Sequence, residues 1–283
     1  MSELSILQYN VHKSRGVMES LLHEEKGVAV IAVQEPWLNR GSGTYCPSSA
    51  AYIPVCEGEQ RSCLLINKAI KRESWEYKTW NRDLCSVKLT TSLGIVWIHS
   101  VYSQPPGDLR NIDYECPFEL LRAALGADGE HIVVGDFNLH HPLWSKPWYP
   151  PHDRADELLE ITQQLDLLTP HGSVTFPTIH GGTTIDLAFS TPGLTDRLLE
   201  CAIATDREHG SDHMAVRSRW NIEPVAAVER RYRNWKLTDT AQAEQMALHL
   251  PKYNTEQYII ESLEVYTIEL TLRIQGIINI TTL

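Results

Sequence analysis

Eight short segments of this chain read as β-strands, and no regular strand–helix–strand beat joins them. They are Leu4–Val11, Val28–Gln34, Ser62–Asn67, Cys85–Leu89, Ile95–Tyr102, His131–Phe137, Thr184–Ser190 and His213–Trp220. Most are rich in β-branched residues and either alternate or run apolar, as half-buried or fully buried strands do. Only two helices are expected among them. Asn111–Leu125 offers Phe118, Leu121 and Leu125, and Asp153–Leu165 offers Leu158, Leu159, Ile161 and Leu165, with Asp153 as N-cap. A parallel doubly wound sheet is therefore disfavoured. The pattern predicts an α/β protein built on two packed, mostly antiparallel sheets.

The 283 residues suffice for one large domain and an appendage. Near position 221 the texture changes. Residues 221–227 read as a linker, and Arg230, Arg231, Arg233 and Lys236 lie in a basic, aromatic stretch. That run is either a solvated face or a nucleic-acid contact. Beyond it, Ile259, Leu263, Tyr266 and Leu270 follow helical spacing. The expected division is a domain over 1–221, a basic linker over 222–237 and a helical extension over 238–283.

With 42% hydrophobic residues the chain can bury a core, which excludes wholesale disorder. A net charge of −11 speaks against tight, non-specific nucleic-acid binding through the overall field. The six cysteines never fall in a C-x-x-C spacing, so zinc-ribbon and thioredoxin-type readings fail and free thiols in a reducing compartment are expected. The longest clean aliphatic run, Val28 to Val33, is far short of a membrane span. Met1-Ser2-Glu3 leads into the first strand without a basic or long apolar segment, so no secretion-type leader is expected. A soluble intracellular protein without a membrane partner is expected.

The chemistry lies in the polar residues at strand ends. Asn10 and Glu35 end the first two strands, Tyr102 a middle one, and Asp136 and Asn138 the strand from His131. Asp186 interrupts an apolar strand, and Asp212-His213 open the last one. Such placement suggests one polar site on a rigid sheet scaffold. Glu35, Asp136, Asp186 and Asp212 in a single cleft would repel one another, and a hard divalent cation relieves this. Mg²⁺ is expected, with Mn²⁺ as a substitute. With a phosphate substrate, the site becomes one for metal-assisted phosphodiester hydrolysis.

Gln34-Glu35-Pro36, Gly135-Asp136-Phe137-Asn138, Thr184-Ile185-Asp186 and Ser211-Asp212-His213, in this order, resemble the endonuclease/exonuclease/phosphatase superfamily over about residues 4–220. Asn10-Val11-His12-Lys13-Ser14, Gln34-Glu35-Pro36-Trp37 and Asn138-Leu139-His140-His141-Pro142 are similar, more narrowly, to the endonuclease domain of non-LTR retrotransposons. The resemblance implies a four-layered α/β/β/α sandwich. It implies Asp136 as base, Asn138 holding water or phosphate, and His213, oriented by Asp186, with Tyr102 as phosphate donors. Glu35, Asn10 and Asp212 would hold the metal.

Further implications are a single-strand nick leaving a 3′-hydroxyl and a 5′-phosphate, and a reverse transcriptase following in a polyprotein. DNA would be the partner, bound locally and salt-sensitively, with action in the nucleus. His12, His180 and Thr183 are candidate substrate contacts, although His12 serves equally as a solvated loop residue. Loops 144–152 and 175–183 are candidates for target preference. The alternatives are an abasic-site repair endonuclease, a phosphatase of the same superfamily, and a catalytically silent binding scaffold.

Overall fold

The strand that opens the chain, β1 (Leu4–Asn10), is buried along its whole length because both of its faces are covered. Leu4 and Ile6 face one apolar cluster, while Leu7 and Tyr9 face another, as the two-residue period of a strand requires. Each large side chain so buried contributes roughly 1.5–3 kcal/mol. The computed structural model describes residues 3–39, 43–44, 47, 49–56, 58–107, 114–179, 181–206, 209–226, 239–250, 270–274 and 276.

After β1 come α1 (Arg15–Glu24), β2 (Val30–Gln34), the short β3 (Leu38–Asn39) and β4 (Gly43–Thr44), β5 (Tyr52–Val55), β6 (Ser62–Asn67) and β7 (Trp75–Thr79). Then follow β8 (Leu84–Thr91), β9 (Gly94–Tyr102), α2 (Phe118–Leu125), β10 (Glu130–Asp136), α3 (Asp153–Ile161), β11 (Asp166–Leu167) and β12 (Asp186–Ser190). The series continues with α4 (Pro192–Thr195), β13 (Leu198–Ile203), β14 (Val216–Trp220) and α5 (Thr240–Ala247).

Two six-stranded sheets result, ordered β13-β14-β1-β2-β6-β5 and β11-β12-β10-β9-β8-β7. Each is antiparallel except for one central parallel pair, β1 with β2 and β10 with β9. Leu4, Ile6, Val30 and Leu64 of the first sheet pack against Val87, Val96, Ile98 and Ile132 of the second. Helix α1 covers the first sheet's outer face through Val17, Met18 and Leu21. Helices α2 and α3 cover the second through Phe118, Leu121 and Leu158. The expected α/β/β/α layering is thus present.

Several boundaries differ from expectation, each for a local reason. Helix α2 begins at Phe118, not Asn111, because Pro117 biases the residue before it away from helical conformation; residues 111–113 lie outside the described set. Asp153 is the first residue of α3, not its cap, and the helix stops at Ile161, where the Thr162 hydroxyl donates to Leu158 O (2.9 Å). Strand β12 starts at Asp186, and β14 starts at Val216, so Asp212 and His213 occupy the preceding loop. Helix α1 was not expected, yet Ser14 caps it by accepting from Val17 N.

The chain divides into two units, Met1–Ala227 and Val228–Leu283. Residues 222–226, expected to begin a linker, lie against the first unit: Ile222 is buried, and Pro224 and Ala226 bridge to Thr91 and Ile70. In the second unit α5 is capped by Asp239, which accepts from Gln242 N. Arg230, Arg231, Arg233, Lys236, Ile259, Leu263 and Tyr266 lie outside the described residues. The five described cysteines are free thiols. No helix among the described residues is long and apolar enough to cross a membrane.

Candidate active site

Strand register alone sets out half of the site. Asp136 lies beside Tyr102 on β9 and directly opposite Asp186 on β12, so three strand ends present one row of polar groups. Two carboxylates facing each other across a sheet are destabilising unless a cation or proton intervenes. Gly135 permits the row: a Cβ there would stand 2.0 Å from Val101 O, so only glycine lets β10 approach β9 this closely. The first sheet supplies the other wall, with Asn10 at the end of β1 and Glu35 just past β2.

Asn10, His12, Lys13, Glu35, Tyr102, Asp136, Asn138, Asp212 and His213 line one cleft of about 290 Å³, together with Phe176. Among the described residues, the non-glycine positions with positive φ are His12, Lys13, Glu35 and Asn138, at 47° to 54°. All four are in this cleft. Left-handed backbone of this kind costs about 1–3 kcal/mol per residue and persists where surrounding bonds over-determine it. Here Lys13 N donates to Glu35 O (2.8 Å), His12 N to Asn10 Oδ1 (2.9 Å) and Asn138 N to Asp136 Oδ1 (3.1 Å).

Asp136 is the hub. Its Oδ2 accepts from Asn10 Nδ2 and Asn138 Nδ2, both at 2.9 Å, and lies 3.9 Å from His213 Nε2. Burial, then the Asp186 charge, pushes its carboxyl up to about 8, against the pull of His213 and Asn10. His213 Nδ1 donates to Asp186 Oδ2 (2.9 Å), and Phe176 lies against its ring with centroids 4.8 Å apart. Burial opposes its charge, but Asp186, then Asp136 and Asp212, more than offset it, and the imidazole is pushed up to about 9. Near neutrality the imidazole is thus a charged donor, and the Asp136 carboxyl would lose its proton and serve as a base in the field of a cation in the cleft.

Glu35 accepts from the Tyr102 phenol (2.7 Å) and pairs with Lys13 Nζ (3.0 Å), both at Oε1. Burial, then the Glu35 charge, pushes the Tyr102 phenol up, so it remains a donor. In the structure that donor is spent on Glu35. Asp212 Oδ2 lies 3.1 Å from His12 Nδ1. Two sets of residues here carry donor atoms of the kind a hard cation takes. Asp136, Asp186 and His213 offer ligand atoms within 4.8 Å of one another, and His213 Nδ1 and Asp186 Oδ2 are already hydrogen-bonded to each other. Glu35, Asn10 and Asp212, which line the same cleft, are the second set, and in it Glu35 Oε1 already meets Tyr102 and Lys13 and Asn10 Oδ1 accepts from His12 N.

The structure therefore gathers Asn10, Glu35, Tyr102, Asp136, Asn138, Asp212, His213 and His12 in one cleft, with Asp186 behind His213. Thr183 is not in its lining; its backbone pairs with Phe176 instead. His180 lies outside the described residues. Sequence reasoning assigned no role to Lys13, Phe176 or Gln8. Gln8 Nε2 donates to Asp186 Oδ1 (2.8 Å) and Gln34 Oε1 (2.7 Å), holding the carboxylate from behind. Its place two residues before Asn10, on the same face of β1, was the available signal.

Two sheets packed face to face, with an acidic cleft carrying a histidine at one end, are also the fold of several solved nucleases. The chain is similar to members of the endonuclease/exonuclease/phosphatase superfamily. A family described as endonuclease-reverse transcriptase matches residues 96–217. The endonuclease domain of TRAS1, a telomere-specific non-LTR retrotransposon, is similar at 19% identity and TM-score 0.58, over 77% of this chain and 98% of that one. A 3′-5′ exonuclease from Neisseria meningitidis aligns at 17% identity and TM-score 0.58, covering 77% and 99%. An AP endonuclease from Leishmania major aligns at 14% identity and TM-score 0.60, covering 77% and 88%. No curated protein matches the chain.

Proposed function

We propose that the chain is a Mg²⁺-dependent endonuclease that nicks one strand of DNA, leaving a 3′-hydroxyl and a 5′-phosphate. The observation that carries this reading is the Asp186–His213 pair set beside Asp136, which Asn10 and Asn138 hold in place. Asp136 takes the proton of an attacking water. Asn138 orients that water or a non-bridging phosphate oxygen, and its amide is fixed by donating to Ser103 O (2.9 Å). His213, charged and aligned by Asp186, donates to the phosphate as negative charge builds. Glu35, with Asn10 and Asp212, would hold the metal, and Mn²⁺ would replace it. A divalent ion bound there stabilises charge at the phosphate and leaving oxygen. Tyr102, whose phenol donates to Glu35 here, would donate to a phosphate oxygen.

The retrotransposon-type motifs and the endonuclease-reverse transcriptase family favour DNA as substrate, with a reverse transcriptase following in a polyprotein and priming from the 3′-hydroxyl in the nucleus. The loops flanking the cleft expose Trp148 and Ile179, 65% and 95% accessible, and Tyr149 OH ties them by donating to Gly182 O. These would set target preference. An abasic-site endonuclease is the second reading, favoured by the fold shared with that class of repair enzyme.

Supercoiled plasmid incubated with Mg²⁺, with and without EDTA, tests the reading. Wild type should nick, and Asp136→Ala and His213→Ala should not; equal nicking by all three would overturn the assignment. Cleavage confined to abasic duplex would move the function to repair, and hydrolysis of an inositol phosphate alone would move it to the phosphatases. The nick should be extended by a polymerase without prior phosphatase treatment.

A further inference from the structure

Lys13 occupies a position that fold stability does not require. Its side chain is 55% exposed, and an ion pair so open to water adds little to stability. Yet its backbone is built with care. Lys13 and the preceding His12 are left-handed, at φ 54° and 49°, and their amides are anchored on Glu35 O and Asn10 Oδ1. Ser14 then turns the chain into α1 by accepting from Val17 N. The turn that carries the ammonium is thus pinned to two of the groups proposed to hold the metal. Its side chain, by contrast, is a flexible four-carbon stem with a mobile, strongly hydrated tip.

From this geometry we infer that Lys13 is a displaceable counter-cation. It neutralises Glu35 while no divalent ion is bound, and it passes to the DNA phosphate when the ion arrives. The inference rests on the reading that Glu35 is a metal ligand. Glu35 Oε1 already accepts from Tyr102 (2.7 Å) and contacts Lys13 Nζ (3.0 Å). A divalent cation on that carboxylate would repel the ammonium at close range, and the exposed stem lets it withdraw without any backbone change. Lys13 lines the same cleft as Asn138 and His213, so withdrawal leaves it where a phosphate would be held. The two destinations make one linked equilibrium. Metal and ammonium compete for Glu35, and a phosphate that takes the ammonium favours the metal.

The inference predicts effects of opposite sign from one substitution. Mn²⁺ binding is measured by calorimetry on wild type, Lys13→Met and Glu35→Gln, with circular dichroism to check the fold. Lys13→Met should bind Mn²⁺ about 3- to 10-fold more tightly. Its KM for plasmid nicking at saturating Mg²⁺ should rise several-fold, with a log–log salt dependence shallower by about one phosphate contact. Mn²⁺ affinity equal to or weaker than wild type overturns the counter-cation role. Tighter metal binding with unchanged KM and salt dependence overturns the transfer to phosphate. Glu35→Gln separates the two levels, because it should lose Mn²⁺ binding by more than tenfold. Wild-type affinity in that variant would sink the ligand assignment itself, whatever Lys13→Met does.

Discussion

Two of the buried histidine sites differ in charge: the one at His213 is cationic and the His99–His131 pair is neutral. His213 ends between Asp186 and Asp136 and is pushed up to about 9. His99, fully buried in β9, is pushed down to about 3 by burial and then by His131. Its surroundings show why. His131 Nε2 faces only the Ala127 carbonyl (3.0 Å), so that nitrogen must carry the proton. His131 Nδ1 then accepts from His99 Nε2 (3.0 Å), and His99 Nδ1 accepts from the Ser86 hydroxyl (2.7 Å), which itself accepts from Trp80 Nε1 (2.9 Å). One arrangement of protons satisfies every group with both rings neutral. An added proton on His131 Nδ1 would meet the His99 Nε2 hydrogen, and one on His99 Nδ1 would take the Ser86 hydroxyl's acceptor from it. Burial is common to both clusters, and partners decide the charge.

Removing each histidine should have a different consequence. His213→Ala should lower nicking by about 10³-fold or more and also lower the thermal midpoint, because Asp186 and Asp136 lose their buried cationic partner. A variant that melts early and retains its rate would place His213 on the structural side of the comparison. Next in size is Gly135→Ala. The added Cβ meets Val101 backbone, which cannot swing aside, so β10 and β9 must part. A loss of about 3 kcal/mol is expected in urea unfolding, with nicking reduced because Asp136 moves with the strand. An unperturbed midpoint would mean that the parallel pair does not fix the site.

His99→Ala should cost about 2 kcal/mol, from a cavity and from Ser86 and His131 left without their partner. Nicking per folded molecule should stay within twofold of wild type. A large loss of rate in a folded His99→Ala protein would tie the neutral cluster to the chemistry and erase the distinction.

The same contrast explains what could be read from the sequence. All eight expected strands are interior ones: β14, β1, β2 and β6 of the first sheet, and β12, β10, β9 and β8 of the second. Strands covered on both faces carry the continuous apolar signal that sequence reading detects. The four strands at sheet edges, β13, β5, β11 and β7, were not expected. Trp75–Thr79, with Glu76 and Lys78 turned to solvent, shows why: an edge mixes charge into its pattern. The acids of the site were legible because a carboxylate at an apolar strand end has few structural uses. His99 and His131 were not, since in sequence they are single polar residues in strands. Their neutrality depends on a register that sets β8, β9 and β10 side by side. Gln8 was hidden in the same way, by a partner 178 positions away.

The smallest expected effect separates the clusters by sign. For His99 the folded pKa is depressed, so the unfolded chain takes up the proton first. That stability is full above about pH 6.5 and is lost as pH falls toward about 3. For His213 and Asp136 the folded values are raised. Their contribution is full below the unfolded values, near 6.5 and 3.8, and is lost as pH rises through about 9 and about 8. Each group titrating contributes a slope of up to about 1.4 kcal/mol per pH unit. Urea unfolding of metal-free protein between pH 4.5 and 9.5 should therefore stay nearly level to about pH 6.5, where His99 and Asp136 offset each other, and fall above it. Asp136→Asn should uncover a rise below pH 6.5 and flatten the fall above it, and His99→Ala should extend the fall to the acid side. If His99→Ala leaves the acid side unchanged, the acid sensitivity arises elsewhere; if Asp136→Asn uncovers no rise, the two clusters are not independent, and the charge at one is set through the other.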